Sequence, residues 1–147
     1  MNTSAQGDGR ERPAADEAPA GPGRTVLVVE DDPNLRDVIK LWLCRAGYAV
    51  LVAGNAAATQ EAVLSGQPDL VILDLSLTGS DAFALLDWLR RAPATHEVPV
   101  LVVTTNDDQE HRGRSFELGA AGFLRKPFHG RDLVAKVARI MREMRIP

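Results

Sequence analysis

The chain has 147 residues, 45% hydrophobic and 25% charged, with a net charge of −3, which suits one ordinary soluble domain with a real core. The acidic balance argues against general affinity for nucleic acid, which needs a basic surplus, and the single cysteine, Cys44, excludes an intrachain disulfide or thiolate zinc site. No apolar run reaches the roughly 18 residues of a membrane span, and the N-terminus lacks the apolar stretch of a signal peptide, so a cytoplasmic protein with no membrane contact is expected.

Residues 1 to 24 are rich in Ala, Gly, Pro and charged side chains with almost nothing bulky to bury, the composition of a disordered extension. A single domain over residues 25 to 147 follows. Thr25 to Val29 is an apolar, β-branched run closed by Glu30-Asp31-Asp32. Leu35, Val38, Ile39, Trp42, Leu43 and Ala46 then recur at helical spacing, with Pro33 suited to the first turn and Gly47 to the stop. Cys44, inside that pattern, is expected as a small core residue. Ala49 to Val52 reads as a second strand, and Asn55 as the cap of an Ala-rich helix through Leu64. Leu70-Val71-Ile72-Leu73 is the third strand, closed by Asp74, and a helix carrying Phe83, Leu86, Leu89 and Arg90 ends before Pro93. Val100 to Val103 is the fourth strand, followed by Thr104. Gln109 to Leu118 is a polar helix closed by Gly119. Gly122-Phe123-Leu124 is the last strand, with Lys126 beyond it, and Leu133, Val134, Val137, Ala138 and Met141 stripe the last helix.

Five βα units with near-continuous apolar strands predict an α/β fold: a doubly wound, five-stranded parallel sheet with helices on both faces. Right-handed crossovers favour the flavodoxin-like strand order 2-1-3-4-5, whose switch point lies between strands 1 and 3. Ligands bind at the carboxyl edge of such sheets, so the acidic cluster after strand 1, Asp74 after strand 3, Thr104 after strand 4 and Lys126 after strand 5 should meet in one crevice. Several carboxylates gathered there repel unless a cation sits among them. Mg²⁺, which keeps waters and takes one or two carboxylates plus a phosphoryl oxygen, suits that place.

At this point the chain resembles the receiver domain of bacterial two-component response regulators. The residues that carry the resemblance are Val28-Val29-Glu30-Asp31-Asp32, Asp69 to Asp74, Val100 to Thr104, Gly119-Ala120 and Phe123 to Phe128, in register from about Thr25 to the C-terminus. The resemblance implies that Asp74 is the phosphoacceptor and takes its phosphoryl group from a sensor histidine kinase or a histidine phosphotransfer protein. It implies that Asp31, Asp74 and the backbone carbonyl of Ser76 hold Mg²⁺, with Glu30 acting through a bound water. Lys126 would pair with a phosphoryl oxygen, Thr104 would donate its hydroxyl to another, and Phe123 would be the aromatic switch residue that turns inward with Thr104. A downstream protein would then dock at the face made by helix 4, strand 5 and helix 5. Such a domain is not an independent enzyme, although it assists its own phosphorylation and dephosphorylation.

Each residue also has a plainer reading. Asp32 before Pro33 is placed chiefly to cap the first helix. Alone, Thr104 is a strand-end hydroxyl, Lys126 a surface lysine and Phe123 core; their joint register with Asp31 and Asp74 favours the functional roles. His96, His111 and His129 are not at metal-ligand spacing and read as loop or surface residues. Arg131, Lys136, Arg139, Arg142 and Arg145 read as a solvated face of the last helix, with a docking surface as the lesser alternative. Thr78, Ala82, Ala121 and Thr105 depart from the family pattern, where proline, glycine, an acidic residue and alanine are usual. By the resemblance, Ser76 and Asn106 flank the site where the family tunes phosphoryl lifetime. With the chain ending at Pro147, output by binding of the receiver itself is expected, with no nucleic acid bound by this chain, or a relay role that hands the phosphoryl group onward. The alternatives are a pseudo-receiver, an interaction module without phosphorylation, disfavoured by retention of Asp31, Asp74, Thr104 and Lys126; an aspartate-nucleophile phosphohydrolase, disfavoured by Ser76 where a second acid is wanted; and a nucleotide-binding fold, disfavoured because no Gly-rich loop follows strand 1.

Overall fold

A computed structural model describes residues 24–77, 81–105 and 109–144. The expected extension up to Gly23, and Thr78, Asn106 and Arg145, lie outside them. Ten elements alternate: β1 (Thr25–Val29), α1 (Pro33–Arg45), β2 (Ala49–Ala53), α2 (Ala56–Gly66), β3 (Leu70–Asp74), α3 (Ala82–Arg91), β4 (Val100–Thr104), α4 (Gln109–Glu117), β5 (Gly122–Arg125) and α5 (Gly130–Met144). The strands form one parallel sheet in the order β2-β1-β3-β4-β5, as the sequence pattern predicted. Boundaries differ by a residue or two, and Asp74 and Thr104 close their strands from within.

Alternation along each strand divides the core. Val26, Val28, Leu70, Ile72, Leu101 and Val103 meet Ile39 and Leu43 of α1 and Leu133, Val137, Ile140 and Met141 of α5 on one face. Leu27, Val29, Val71, Leu73, Val100 and Val102 meet Val63 of α2 and Leu85, Leu86 and Leu89 of α3 on the other. Each such side chain contributes about 1.5–3 kcal/mol through removal from water, so strand order and register are fixed by packing on both faces.

The helix ends follow local chemistry. Asp32, Asn55 and Asp81 cap α1, α2 and α3 by accepting hydrogen bonds from Asn34 N, Ala58 N, and Phe83 N and Ala84 N. Gly119 follows α4 at φ 97°, a left-handed conformation that only glycine enters without cost. Ala82, where the family pattern has glycine, is a buried first residue of α3.

Two expectations for α1 need correction. Cys44 is exposed, not core. The sheet buries Ile39 and Leu43, and a helix turns about 100° per residue, so the residue after Leu43 leaves the covered face. Val38 is 40% exposed for the same reason, one step before Ile39. The apolar stripe is wider than the face the sheet covers.

Candidate functional site

Parallel register brings four strand ends together. Val29 pairs with Leu73, Asp74 with Val103 and Thr104 with Arg125, so the residues that follow β1 and β5 flank Asp74 and Thr104. Thr104 O accepts a 2.8 Å hydrogen bond from Lys126 N, which ties the exit of β5 to β4. The crevice is therefore rigid: its residues end strands whose other side chains are core.

Glu30 and Asp74 are almost completely buried, and Asp31 is half-buried beside them. One carboxylate oxygen from each of Glu30, Asp31 and Asp74 lies within 4.8 Å of the other two. Lys126 reaches into the group, its Nζ 3.0 Å from Glu30 Oε1 and 3.3 Å from Asp74 Oδ2. The two oxygens of Asp74 are not equivalent. Oδ1 accepts from Ser76 Oγ at 2.8 Å and from Ser76 N at 3.0 Å, while Oδ2 faces the ammonium.

One ammonium cannot neutralise three carboxylates, and their mutual repulsion is strong where water is scarce. The Glu30 carboxyl is pushed above the usual carboxylate range by burial, an effect opposed by its Lys126 hydrogen bond and reinforced by the Asp74 charge. Burial acts to lower the Lys126 pKa, but the hydrogen bond to Glu30 and the charges of Asp74 and Glu30 outweigh it and raise the value. Lys126 thus stays charged while excess negative charge remains. Such all-oxygen donors with surplus charge fit a hard divalent cation.

Comparison with known proteins gives the architecture a lineage. The sequence profile of the response regulator receiver domain matches residues 26–138. The transcriptional regulatory protein GltR of Pseudomonas aeruginosa is 33% identical over 120 residues, covering 82% of this chain and 50% of that protein. AruR of the same organism, also a transcriptional regulatory protein, is 38% identical over 125 residues, covering 82% of this chain and 50% of that one. The chain spans about half the length of these curated relatives. A putative response regulator from Chloroflexus aurantiacus has a crystal structure that superposes with a TM-score of 0.76 at 32% identity, over 82% of this chain and 98% of that one.

The chain belongs to the response regulator receiver family. A receiver is the phosphorylation-signalling domain of two-component systems. Among the described residues of this one, no helix is long and apolar enough to cross a membrane. Glu30, Asp31, Asp74, Ser76, Thr104 and Lys126, expected from sequence, all sit at the carboxyl edge of its sheet, and Thr104 is buried there. Phe123 lies apart on β5, half-buried, paired in register with Val102. Its ring carries the Arg112 guanidinium at 4.8 Å and has the Phe116 ring 6.5 Å away. Asp32 accepts from Asn34 N at 3.0 Å as a helix cap, and its own N–H donates to Glu30 Oε2 at 3.2 Å.

His96 and His129 are exposed, whereas His111 is half-buried with its ring 5.8 Å from that of Phe83. None of the three belongs to the acidic group. On α5, Arg131, Arg139 and Arg142 are exposed and Lys136 is half-buried; Arg139 pairs with Glu143 at 3.4 Å.

Two features went unread in the sequence. The Ser76 hydroxyl, and not only its backbone, contacts Asp74. Arg36, on the first turns of α1, donates from Nη1 to the Glu30 carbonyl at 3.3 Å. A hydroxyl two residues beyond a strand-end acid is a detectable signal for the first. For the second, no local pattern distinguishes Arg36 from other helix-surface cations.

Proposed function

We propose that this receiver accepts a phosphoryl group on Asp74 from a phosphohistidine of a sensor kinase or of a histidine phosphotransfer protein, with Mg²⁺ as cofactor, and signals through protein contacts. The observation that carries the reading is the position of Asp74: a buried carboxylate at a strand end, held by Ser76 on one oxygen and facing Lys126 on the other. A buried anion that was merely structural would be paired and finished. This one shares its ammonium with Glu30 and keeps Asp31 for company.

In the proposed reaction an Asp74 oxygen attacks phosphorus. The new O–P bond forms as the P–N bond to the donor imidazole breaks, and the electron pair leaves on that nitrogen, giving a neutral imidazole whose other ring nitrogen carries the proton. The product is an acyl phosphate. Ser76 N and Oγ hold one carboxylate oxygen and so fix the plane in which the other is offered. Lys126 exchanges part of its contact with the carboxylates for a phosphoryl oxygen, where its charge opposes the negative charge of the transition state. Thr104 donates its hydroxyl to a second phosphoryl oxygen. Asp31, Asp74 and the Ser76 carbonyl would hold Mg²⁺, with Glu30 acting through water; when bound, the ion offsets repulsion between anionic nucleophile and anionic phosphoryl group.

Thr104 and Phe123 lie on adjacent strands, β4 and β5. A phosphoryl group that draws Thr104 toward it would free space for the Phe123 ring and change the surface of α4, β5 and α5, where a downstream partner would dock. We place the protein in the cytoplasm, as a signalling module and not an independent enzyme. Incubation with acetyl phosphate, with and without Mg²⁺, followed by intact mass, tests the proposal. A gain of one phosphoryl group that needs both Mg²⁺ and Asp74 is expected; no gain in the wild type would favour the pseudo-receiver reading.

A further inference from the structure

We infer that Arg36 is a positioning residue for the acidic cluster: its guanidinium clasps the end of β1 and so sets where the Glu30 and Asp31 carboxylates stand for a divalent cation. This rests on the metal-dependent reading of the site above.

The Glu30 carbonyl lies one step past the β1 ladder. Its N–H still donates to Ala53 O at 3.0 Å, so the sheet holds one side of this residue. The carbonyl instead receives Arg36 Nη1 at 3.3 Å. That carbonyl belongs to the peptide plane joining Glu30 to Asp31, and a peptide unit turns as one rigid body. Fixing its oxygen fixes the direction in which Asp31 leaves the backbone. The two peptides that follow are pinned as well: Asp32 N, in the Asp31–Asp32 unit, donates to Glu30 Oε2, and Asp32 O, in the Asp32–Pro33 unit, accepts from Arg36 N at 2.9 Å. Arg36 therefore grips this turn twice, by its backbone N–H and by its guanidinium.

The guanidinium also depends on a glycine. A Cβ placed on Gly54, just beyond β2, would stand 2.9 Å from Arg36 Nη1 and 4.0 Å from Glu30 O. The β2–α2 connection thus leaves open the space through which Arg36 reaches the carbonyl. An alanine there meets only the far tip of a flexible side chain, which can move aside at little cost to the fold.

Charge and position predict opposite outcomes. Arg36 is a cation whose guanidinium touches the backbone of Glu30, a member of the cluster, so if it acted only through its field its removal would tighten Mg²⁺ binding. A positioning role predicts weaker binding, because residues that orient ligands typically matter by roughly 10-fold or more in metal affinity. The test is a Mg²⁺ titration of the full chain, followed by calorimetry and by the amide resonances of Asp31 and Asp32, in the wild type, Arg36→Ala, Arg36→Lys and Gly54→Ala.

The expected result is a roughly 10-fold rise in Mg²⁺ Kd for Arg36→Ala, a smaller rise for Arg36→Lys, and a rise for Gly54→Ala with the charge still present. The Asp31 and Asp32 amide resonances should shift in both Arg36→Ala and Gly54→Ala before metal is added. If Arg36→Ala destabilises the fold, Gly54→Ala alone decides. Unchanged or tighter Mg²⁺ binding in a folded Arg36→Ala or Gly54→Ala variant, with normal binding by the wild type, overturns the positioning role alone. Failure of the wild type to bind Mg²⁺ overturns the metal-dependent reading and this inference together.

Discussion

Replacing Lys126 with methionine tests the electrostatics of the site most sharply. Methionine keeps much of the apolar stem but removes the ammonium that stands 3.0 Å from Glu30 and 3.3 Å from Asp74. The Glu30 and Asp74 side chains are each 2% exposed, against 13% for Lys126. Removing one partner of a buried pair costs about 3–5 kcal/mol, because the remaining charge is left without compensation. The slight exposure of Lys126 argues for the lower end, about 3 kcal/mol in metal-free buffer. The loss depends on pH with a definite sign. The Glu30 pKa is already raised, by burial first, and Lys126 is what restrains it; without the lysine it rises further. A group whose folded pKa exceeds its unfolded value supplies stability that is full below the unfolded pKa and is lost as pH rises through the folded one. The deficit of Lys126→Met relative to wild type should therefore grow as pH rises above the ordinary carboxylate range, by at most about 1.4 kcal/mol per pH unit. Urea unfolding followed by Trp42 and Trp88 fluorescence at several pH values measures it, and Lys126→Arg should recover much of the loss. Equal stabilities across the pH range, or a deficit that shrinks as pH rises, would refute the picture of an ammonium restraining the buried Glu30 carboxyl.

Other outcomes follow from single contacts. Asp32→Ala removes the α1 cap and should cost about 1 kcal/mol while leaving acetyl phosphate labelling intact; loss of labelling in a folded variant would make Asp32 part of the site. The Tyr48 hydroxyl is buried with no hydrogen-bond partner among the described residues, so Tyr48→Phe should be neutral or stabilising by about 1 kcal/mol. Burial, opposed by Arg142, raises the Tyr48 pKa, so the wild type should lose stability as pH climbs above about 10; urea midpoints for Tyr48→Phe should fall less there. Exposed Cys44 should react fully with a thiol reagent in the native protein, and protection until unfolding would place it back in the core.

Much of this was legible in the sequence because the strands are buried on both faces. Runs such as Leu70 to Leu73 and Val100 to Val103 leave little doubt about their state, and the polar residue ending each run marks the carboxyl edge. Topology then required Asp31, Asp74, Thr104 and Lys126 to converge. Less visible was anything set by which face a residue takes within a helix. Cys44 and Val38 follow the periodic pattern of α1, yet only Ile39 and Leu43 are completely covered. Pairings across long separations were equally silent: Lys126 with Glu30, 96 residues apart, became a hydrogen bond only once register was known. Arg36 is close in sequence to its acceptor, but its aim depends on the gap left by Gly54.

The most direct measurement is chemical mapping of the modified residue. An acyl phosphate on aspartate is reduced by borohydride to homoserine, so the protein is treated with acetyl phosphate and Mg²⁺, reduced, digested and sequenced by mass spectrometry. Homoserine at position 74 alone, dependent on Mg²⁺, is the expected result. Homoserine at position 31, or none anywhere despite a folded protein, would contradict the assignment of Asp74 as the phosphoacceptor.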